Sequence, residues 1–248
     1  MTFKDPHSEF NKTFQNIFLA FVVFFKNFKF FSKCFIALGH SFKLIDIAKN
    51  YNLESNLSKP VFVGTRREKI WDEIIKKINM ENNNAELVLE FGVAWGYSTN
   101  YFLSKIKKNI VWQAFDTFTG LPSDWEGYKK GHFSSDGKPP KIEDNRVTWN
   151  VGYVEDTLSL YLRHNVELAK KKKIIIFDLD LFGPTEYSLK RVLKCLDKGD
   201  ILYFDEPNML DEMTILYRFM VLNQKKIKVL YYTPCQISLE ILSNNLNY

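Results

Sequence analysis

The sequence has few of the residues that build disulfide scaffolds or zinc knuckles. Three cysteines occur among its 248 residues, at Cys34, Cys195 and Cys235. They are odd in number and widely spaced, with no CxxC pair and no accompanying histidine pattern, which argues against a disulfide framework and a structural zinc site. This usage is typical of a reducing compartment, so we expect a cytoplasmic protein.

Long apolar runs are also absent. The stretch Ile17–Phe25 has nine residues, well short of the ~20 that span a bilayer. Charged and aromatic residues stand where a secretory signal would need a small-residue cleavage site. We therefore expect neither a membrane-spanning helix nor a signal peptide.

Charge of one sign is not concentrated anywhere. Lys and Arg number 34 against 29 Asp and Glu, a net charge of +5 spread along the chain. The basic run Lys170–Lys173 lies between a helix-like and a strand-like segment, where it is best interpreted as a solvated connection. The sequence does not predict a nucleic-acid partner.

The first 62 residues differ in composition from the rest. Twelve of the 22 phenylalanines lie within the first 42 residues, and from Phe14 to Phe28 they recur at steps of four and three, which predicts a helix with one strongly apolar face. That face fits packing on its own domain, a homodimer contact or, less favoured, a membrane-surface anchor. We predict a helical extension over residues 1–62, with residues 43–66 as a connector of short helical pieces, and a catalytic domain over 63–248.

From residue 66 onwards, helical and strand patterns alternate. Amphipathic helices are predicted at Arg66–Ile78, Tyr97–Lys107, Thr157–Lys171, Pro184–Leu196 and Leu210–Gln224. Buried strands are predicted at Glu86–Gly92, Val111–Asp116, Arg146–Val151, Lys173–Asp180, Asp200–Asp205, Lys228–Tyr232 and Gln236–Ile241. This alternation predicts a doubly wound α/β domain with a mostly parallel sheet.

Ligands of such sheets bind beyond the carboxyl ends of the strands, and residues suited to chemistry stand there. The first strand runs into Glu90, Gly92 and Gly96, an E-x-G-x-x-x-G turn whose glycines permit close approach of a ligand to the backbone. Asp116 ends the next strand, where a carboxylate can accept hydrogen bonds from both hydroxyls of a ribose. Gly152, Asp178, Asp180, Asp205 and Glu206 follow three later strands.

Five ordered motifs, LEFGVAWGYST, FDTFTGLPSDW, NVGYVEDTL, IIIFDLDLFGPTEYSL and KGDILYFDE, resemble class I S-adenosylmethionine-dependent methyltransferases. Within that class they are most similar to the macrocin O-methyltransferase-like group. The resemblance runs from about Val63 to Glu206. It implies a Rossmann-like fold with seven strands in the order 3-2-1-4-5-7-6, the last strand antiparallel.

The resemblance also implies residue roles around S-adenosylmethionine. Glu90, Gly92 and Gly96 would shape the methionine pocket, and Ser98 would bond the cofactor carboxylate. Asp116 would hold the ribose. Tyr153 and Val154 would lie beside the adenine, and Asp178 would border the cofactor.

A divalent cation, usually magnesium, is a second implication of the resemblance. Its ligands here would be Asp178, Asp205 and Glu206, and such hard carboxylate oxygens suit Mg²⁺. A bound cation makes a coordinated hydroxyl more acidic, so a small hydroxylated acceptor with neighbouring oxygens, such as a sugar or glycoside, is expected. Catechol-type relatives carry a basic lysine where this chain has Leu181, which leaves His132 and Asp180 as candidates for the base. Asp178 is a further catalytic candidate.

Residues 117–146 form a long connection rich in Gly, Pro, Ser and aromatic residues. A connection of this length within a compact domain is typical of a lid or binding loop. Trp125, Tyr128 and Phe133 would either stack on an acceptor or pin the loop to the core.

Two other functions remain open from the sequence. An NAD-dependent oxidoreductase would share the sheet and Asp116, but G-x-G-x-x-G is absent and Asp205-Glu206 would have no role. A non-catalytic nucleotide-binding or membrane-associated module would have no need of the strand-end carboxylates. We therefore predict a metal-assisted O-methyltransferase.

Overall fold

The computed structural model describes residues 29–80, 85–165 and 170–248. The predicted helix Phe14–Phe28 lies outside the described residues. The helices are α1 (Lys29–Glu54), α2 (Arg67–Asn79), α3 (Tyr97–Lys105), α4 (Val154–His164), α5 (Phe182–Val192) and α6 (Leu210–Leu222). The strands are β1 (Val61–Phe62), β2 (Ala85–Phe91), β3 (Val111–Asp116), β4 (Val147–Val151), β5 (Lys172–Phe177), β6 (Ile201–Phe204), β7 (Ile227–Tyr232) and β8 (Ile237–Ile241).

All eight strands form one sheet, in the order β1-β7-β8-β6-β5-β2-β3-β4. When β1 is set aside, the remaining seven follow the predicted order 3-2-1-4-5-7-6. β8 is antiparallel to both of its neighbours, β6 and β7, and the other pairings are parallel. The predicted fold is confirmed, with one strand more than expected.

Helices cover both faces of the sheet because its central strands are apolar on both sides. In β2, Leu87 and Leu89 pack with α1, α4, α5 and α6 on one face, whereas Val88 packs with α2 and α3 on the other. Successive side chains of a strand point to opposite faces, so one strand supplies both cores. The result is a three-layer α/β/α arrangement.

The helix α1 corrects the prediction for residues 43–66. Instead of short pieces, one 26-residue helix extends to Glu54. Leu44, Ala48 and Tyr51 recur at steps of four and three and are buried, and the Tyr51 hydroxyl donates to the Met220 carbonyl at 3.0 Å. Asn52 bonds both the carbonyl and the amide of Val229 in β7, so the C-terminal half of α1 is part of the folded domain.

No helix among the described residues has the length and apolarity to cross a membrane. The described cysteine side chains Cys195 and Cys235 are free thiols.

Candidate active site

A cavity of about 240 Å³ opens at the carboxyl ends of the parallel strands. This is far more than the ~10–15 Å³ that a single water needs. The turns after β2, β3, β4 and β5 line it, together with the start of α2 and part of the connection 117–146. The cavity therefore lies where ligands of doubly wound sheets bind.

Gly92 allows two strand ends to come together at the cavity floor. Its φ is +86°, and a Cβ placed there would lie 1.7 Å from the backbone oxygen of Asp178. The Gly92 amide donates to the Phe115 carbonyl at 3.0 Å and the Asp178 amide donates to the Phe91 carbonyl at 2.8 Å. The glycine is thus required by the approach of β5 to β2, in addition to any ligand contact.

Gly96 has a related role at the start of α3. Its φ is +77°, and a Cβ would meet the Pro140 side chain at 2.7 Å. Gly96 does not line the cavity. It lets the 117–146 connection pack against the turn that does.

Glu90 is fully buried beneath this turn. Its carboxylate accepts hydrogen bonds from the Ser98 hydroxyl, from the Thr99 hydroxyl at 2.6 Å and from the Trp112 indole N–H at 2.8 Å. Burial raises the pKa of Glu90 to about 7, although the three hydrogen bonds oppose the rise. Glu90 acts on the cavity through Ser98, which lines it.

Asp116 joins the turn after β2 to the start of the connection 117–146. One carboxylate oxygen accepts from the amides of Val93 at 2.7 Å and Ala94 at 2.8 Å. The other accepts from the Phe118 amide at 2.6 Å. A carboxylate has about four lone-pair positions, so Asp116, which lines the cavity, keeps limited capacity for a ligand hydroxyl.

Tyr153 and Val154 also line the cavity, after Gly152 at the end of β4. The Gly152 amide donates to the Asp116 carbonyl at 3.0 Å, which keeps this segment beside the ribose position predicted for Asp116. The structure thus brings Gly92, Ser98, Asp116, Tyr153 and Val154 around one cavity. Their contacts with a cofactor remain predictions.

Acidic side chains gather at the other side of the cavity, after β5 and β6. Asp178, Asp180 and Glu206 line it, whereas Asp205 is buried behind them. The Glu206 amide donates to the buried Glu212 carboxylate at 3.0 Å. One oxygen of Glu206 and one of Glu212 are buried without a hydrogen-bond partner.

These carboxylates form the acidic group of the site: Asp178, Asp180, Asp205, Glu206 and Glu212. Burial raises the pKa of each of them. For Asp178 and Asp180 the neighbouring charge of Asp205 adds to the rise, and the pKa of Asp180 reaches about 7. Burial, followed by the charge of Asp180, raises the pKa of Glu206 to about 8. At neutral pH Asp180 and Glu206 are therefore close to their titration points.

Arg67 supplies the positive charge that faces the acidic group. Its Nη1 donates to Asp205 at 2.8 Å and lies 3.7 Å from an oxygen of Asp178. The second Asp205 oxygen accepts the Tyr203 hydroxyl. Arg67 lines the cavity. In the sequence it stands 24 residues before Phe91, the last residue of β2, and belongs to none of the motifs.

This arrangement does not fit the predicted magnesium site. Both oxygens of Asp205 have hydrogen-bond donors, and the Arg67 guanidinium lies where a cation would bridge Asp205 and Asp178. Across the ranges 29–80, 85–165 and 170–248, no three His, Cys, Asp or Glu side chains form a group that could hold a metal ion. The ligand roles of Asp178, Asp205 and Glu206 stay a prediction that this geometry does not support.

The two candidates for the general base lie in different places. Asp180 lines the cavity and has a φ of +64°, a left-handed conformation that Asp tolerates better than most residues. His132 is exposed, stacks on Tyr128 at 4.6 Å between ring centroids, and does not line the cavity. The structure therefore brings Asp180, and not His132, to the site.

The connection 117–146 forms one wall of the cavity. Gly120, Leu121, Pro122 and Phe133 line it, and Phe133 lies 5.9 Å from the exposed Trp95 ring. The other two aromatic residues that the sequence singles out behave differently from Phe133: Trp125 is buried, and both it and Tyr128 lie outside the lining. Trp125 therefore fits the expected role of pinning the loop to the core, whereas Phe133 is placed where it could contact an acceptor.

Solved methyltransferase structures share this architecture. The calicheamicin methyltransferase CalS11 has a TM-score of 0.54 and 22% identity, over 71% of this chain and 80% of its own. The O-methyltransferase NovP has a TM-score of 0.51 and 16% identity, over 71% of this chain and 79% of its own. Neither a protein-family model nor a curated protein sequence matches the chain. At such identities the likeness concerns the fold, and the chain therefore has the fold of the class I S-adenosylmethionine-dependent methyltransferases.

Proposed function

We propose that the chain is an S-adenosylmethionine-dependent O-methyltransferase that acts on a hydroxyl of a small acceptor, such as a sugar or glycoside. The observation that carries the proposal is the composition of one cavity. One side combines the Gly92 turn, Ser98 and Asp116, which suit a nucleoside with an amino-acid tail. The other side holds Asp178 and Asp180, which suit a hydroxylated acceptor.

The reaction is an in-line displacement at the methyl carbon. A bond forms between the acceptor oxygen and the methyl carbon, the bond from that carbon to sulfur breaks, and S-adenosylhomocysteine leaves with the electron pair. The acceptor hydroxyl gives up its proton. Alignment of the two reactants in one cavity contributes up to ~7–11 kcal/mol in well-oriented cases.

We propose that Asp180 is the general base that accepts this proton. It lines the cavity, and burial followed by the charge of Asp205 raises its pKa to about 7. A general base is most effective when its pKa lies near the working pH. The hydrogen-bond donors around Asp205 do not fit a metal ion, so the proton is assigned to Asp180 alone.

The acceptor class follows from the walls on this side. Carboxylates accept hydrogen bonds from hydroxyl groups, and Phe133 and Trp95 offer flat apolar faces at the opening. A sugar ring has both hydroxyl groups and an apolar face. We further propose that residues 63–248 carry the methyltransferase motifs, that β1 and the C-terminal half of α1 complete the domain they form, and that residues 117–146 are its lid. The cytoplasmic location stays a prediction.

Calorimetric titration with S-adenosylhomocysteine, beside NAD as a control, tests the cofactor. Micromolar binding of S-adenosylhomocysteine without binding of NAD is expected. Binding of NAD alone would favour the oxidoreductase and end the proposal.

A radiolabelled methyl-transfer assay over a panel of sugars and glycosides then tests the reaction. Asp180→Asn is expected to lower kcat by roughly 10²–10⁴-fold, the usual contribution of a general base, with unchanged affinity for S-adenosylhomocysteine. His132→Ala, which alters a residue outside the cavity lining, serves as the matched control and should keep kcat. Binding without turnover on any acceptor would favour a non-catalytic module.

A further inference from the structure

Arg67 occupies a position that helix energetics do not explain. It is the first residue of α2, where the partial positive charge of the helix N-terminus disfavours a cation. Its neighbour Arg66 does not line the cavity; it pairs with Glu68, with a side chain that is 72% exposed. Arg67 instead turns towards the acidic group, so its charge is held there by the carboxylates.

The contacts of Arg67 fix the guanidinium between two strand ends. It bonds Asp205 after β6 and lies near Asp178 after β5, and its guanidinium carbon lies 5.7 Å from the centre of the Trp71 ring. A planar guanidinium suits this combination of carboxylate and aromatic contacts better than an ammonium group does. Burial works against the charge, but the carboxylates of Asp205 and Asp178 outweigh it and raise the pKa of Arg67.

We propose that the Arg67 guanidinium is the built-in cation of this site: it bridges Asp178 and Asp205, keeps divalent cations away from them, and makes methyl transfer independent of metal. The last clause rests on the proposed function; the exclusion of divalent cations does not. Arg67 is a positioning residue in this account, because it orients carboxylates that face the acceptor.

Electrostatics sets the size of the expected effect. A divalent cation bound between Asp178 and Asp205 would lie within a few ångströms of the guanidinium. Repulsion between charges at that separation, with the effective dielectric constant of a protein site, weakens metal binding by more than about 100-fold. Removal of the guanidinium would restore that affinity and leave the carboxylates in place.

The experiment is calorimetric titration of the full chain with Mn²⁺ and with Mg²⁺. Wild type is expected to show no binding at submillimolar metal. Arg67→Ala is expected to bind Mn²⁺ at least about 100-fold more tightly than wild type does. Arg66→Ala removes the same charge from the neighbouring position and should behave as wild type, and Arg67→Lys, which keeps the charge, should still exclude the metal.

Two outcomes would overturn the proposal. One is tight binding of Mg²⁺ by wild type, which needs no variant and decides the matter even when Arg67→Ala does not fold. The other is a folded Arg67→Ala, judged by circular dichroism, that gains no affinity for Mn²⁺. A merely structural role of Arg67 would alter stability and leave metal affinity unchanged.

Binding of S-adenosylhomocysteine separates this proposal from the proposed function. If the protein does not bind S-adenosylhomocysteine but gives the expected metal results, the proposed methyltransferase function is refuted and the proposal for Arg67 stands. Binding of S-adenosylhomocysteine together with tight Mg²⁺ binding by wild type would do the reverse. In the methyl-transfer assay, wild-type turnover should be unchanged by EDTA.

Discussion

Replacement of Gly92 by alanine tests how the cavity floor is built. Gly92 combines a φ of +86° with the nearby oxygen of Asp178, 1.7 Å from the position of an added Cβ. Two other glycines separate these effects. Gly64 has a φ of +108° and no atom within 4 Å of an added Cβ, and Gly39, inside α1, has open space and no positive φ.

The three variants should form a graded series in the free energy of unfolding. Gly39→Ala should stabilise the protein by about 0.5–1 kcal/mol, because alanine is the better helix former. Gly64→Ala should destabilise it by about 1–3 kcal/mol through backbone strain alone. Gly92→Ala adds a forced backbone shift of about 1–3 kcal/mol, for a total of about 2–6 kcal/mol.

Urea unfolding followed by circular dichroism measures the series, and equal m-values would show that the comparison concerns the native state. Binding of S-adenosylhomocysteine should also weaken in Gly92→Ala, since Asp178 and the turn after β2 must separate. Gly64→Ala should bind normally. A Gly92→Ala protein as stable as Gly64→Ala would refute the argument that β5 and β2 approach too closely for a side chain.

Three more predictions concern polar side chains that make hydrogen bonds or ion pairs within the fold. Asp116→Asn replaces an oxygen that accepts backbone amides with an amide group that cannot, so affinity for S-adenosylhomocysteine should fall by about tenfold or more, measured by calorimetry. In wild type the buried Lys173 ammonium lies 2.8 Å from an oxygen of Asp200. Asp200→Ala leaves this ammonium without its partner and should lower the free energy of unfolding, measured in urea, by about 3–5 kcal/mol. The double variant Lys173→Met with Asp200→Leu should recover most of that loss. Burial raises the folded pKa of Glu90 to about 7, above its usual value of 4.5, so its contribution to stability is present below pH 4.5 and is lost as the pH rises through 7. The free energy of unfolding of wild type should therefore fall more between about pH 4.5 and 7 than that of Glu90→Gln does; parallel pH curves would contradict the assignment.

The sheet could be predicted from the sequence because its strands are buried on both faces. Continuous apolar runs such as Leu87–Leu89 and Ile174–Phe177 have few alternatives to a central parallel strand. The short strand β1 could not be predicted, since Val61 and Phe62 are exposed and pair only because α1 and α2 bring them to β7. The length of α1 could not be predicted, because its buried positions Leu44, Ala48 and Tyr51 stand among exposed apolar residues that obscure the helical pattern.

The residues of the candidate site also differ in whether their positions could be predicted from the sequence. Residues that directly follow a strand, such as Asp116 and Asp178, could be predicted to meet at one edge, since parallel strands end together. Arg67 could not, because it comes from a helix start far away in sequence. The only sequence signal that could have indicated it is weak: a cation in the first helical turn, where the dipole favours an anion. The side-chain chemistry of His132 suits a general base, but chemistry alone does not say where a loop residue lies.

The two-residue strand β1 has a consequence for self-association. An open sheet edge presents unpaired backbone groups that can recruit another chain and begin aggregation. Here β1 covers the last two residues of β7, the Asn52 side chain bonds the backbone of Val229, and β1 is itself too short to guide an incoming strand. Pro60, which has no N–H to offer, stands before it, and Gly64, whose φ of +108° departs from strand geometry, follows shortly after. This side of the sheet thus resists growth into polymers, by limiting the ladder that a second copy could extend.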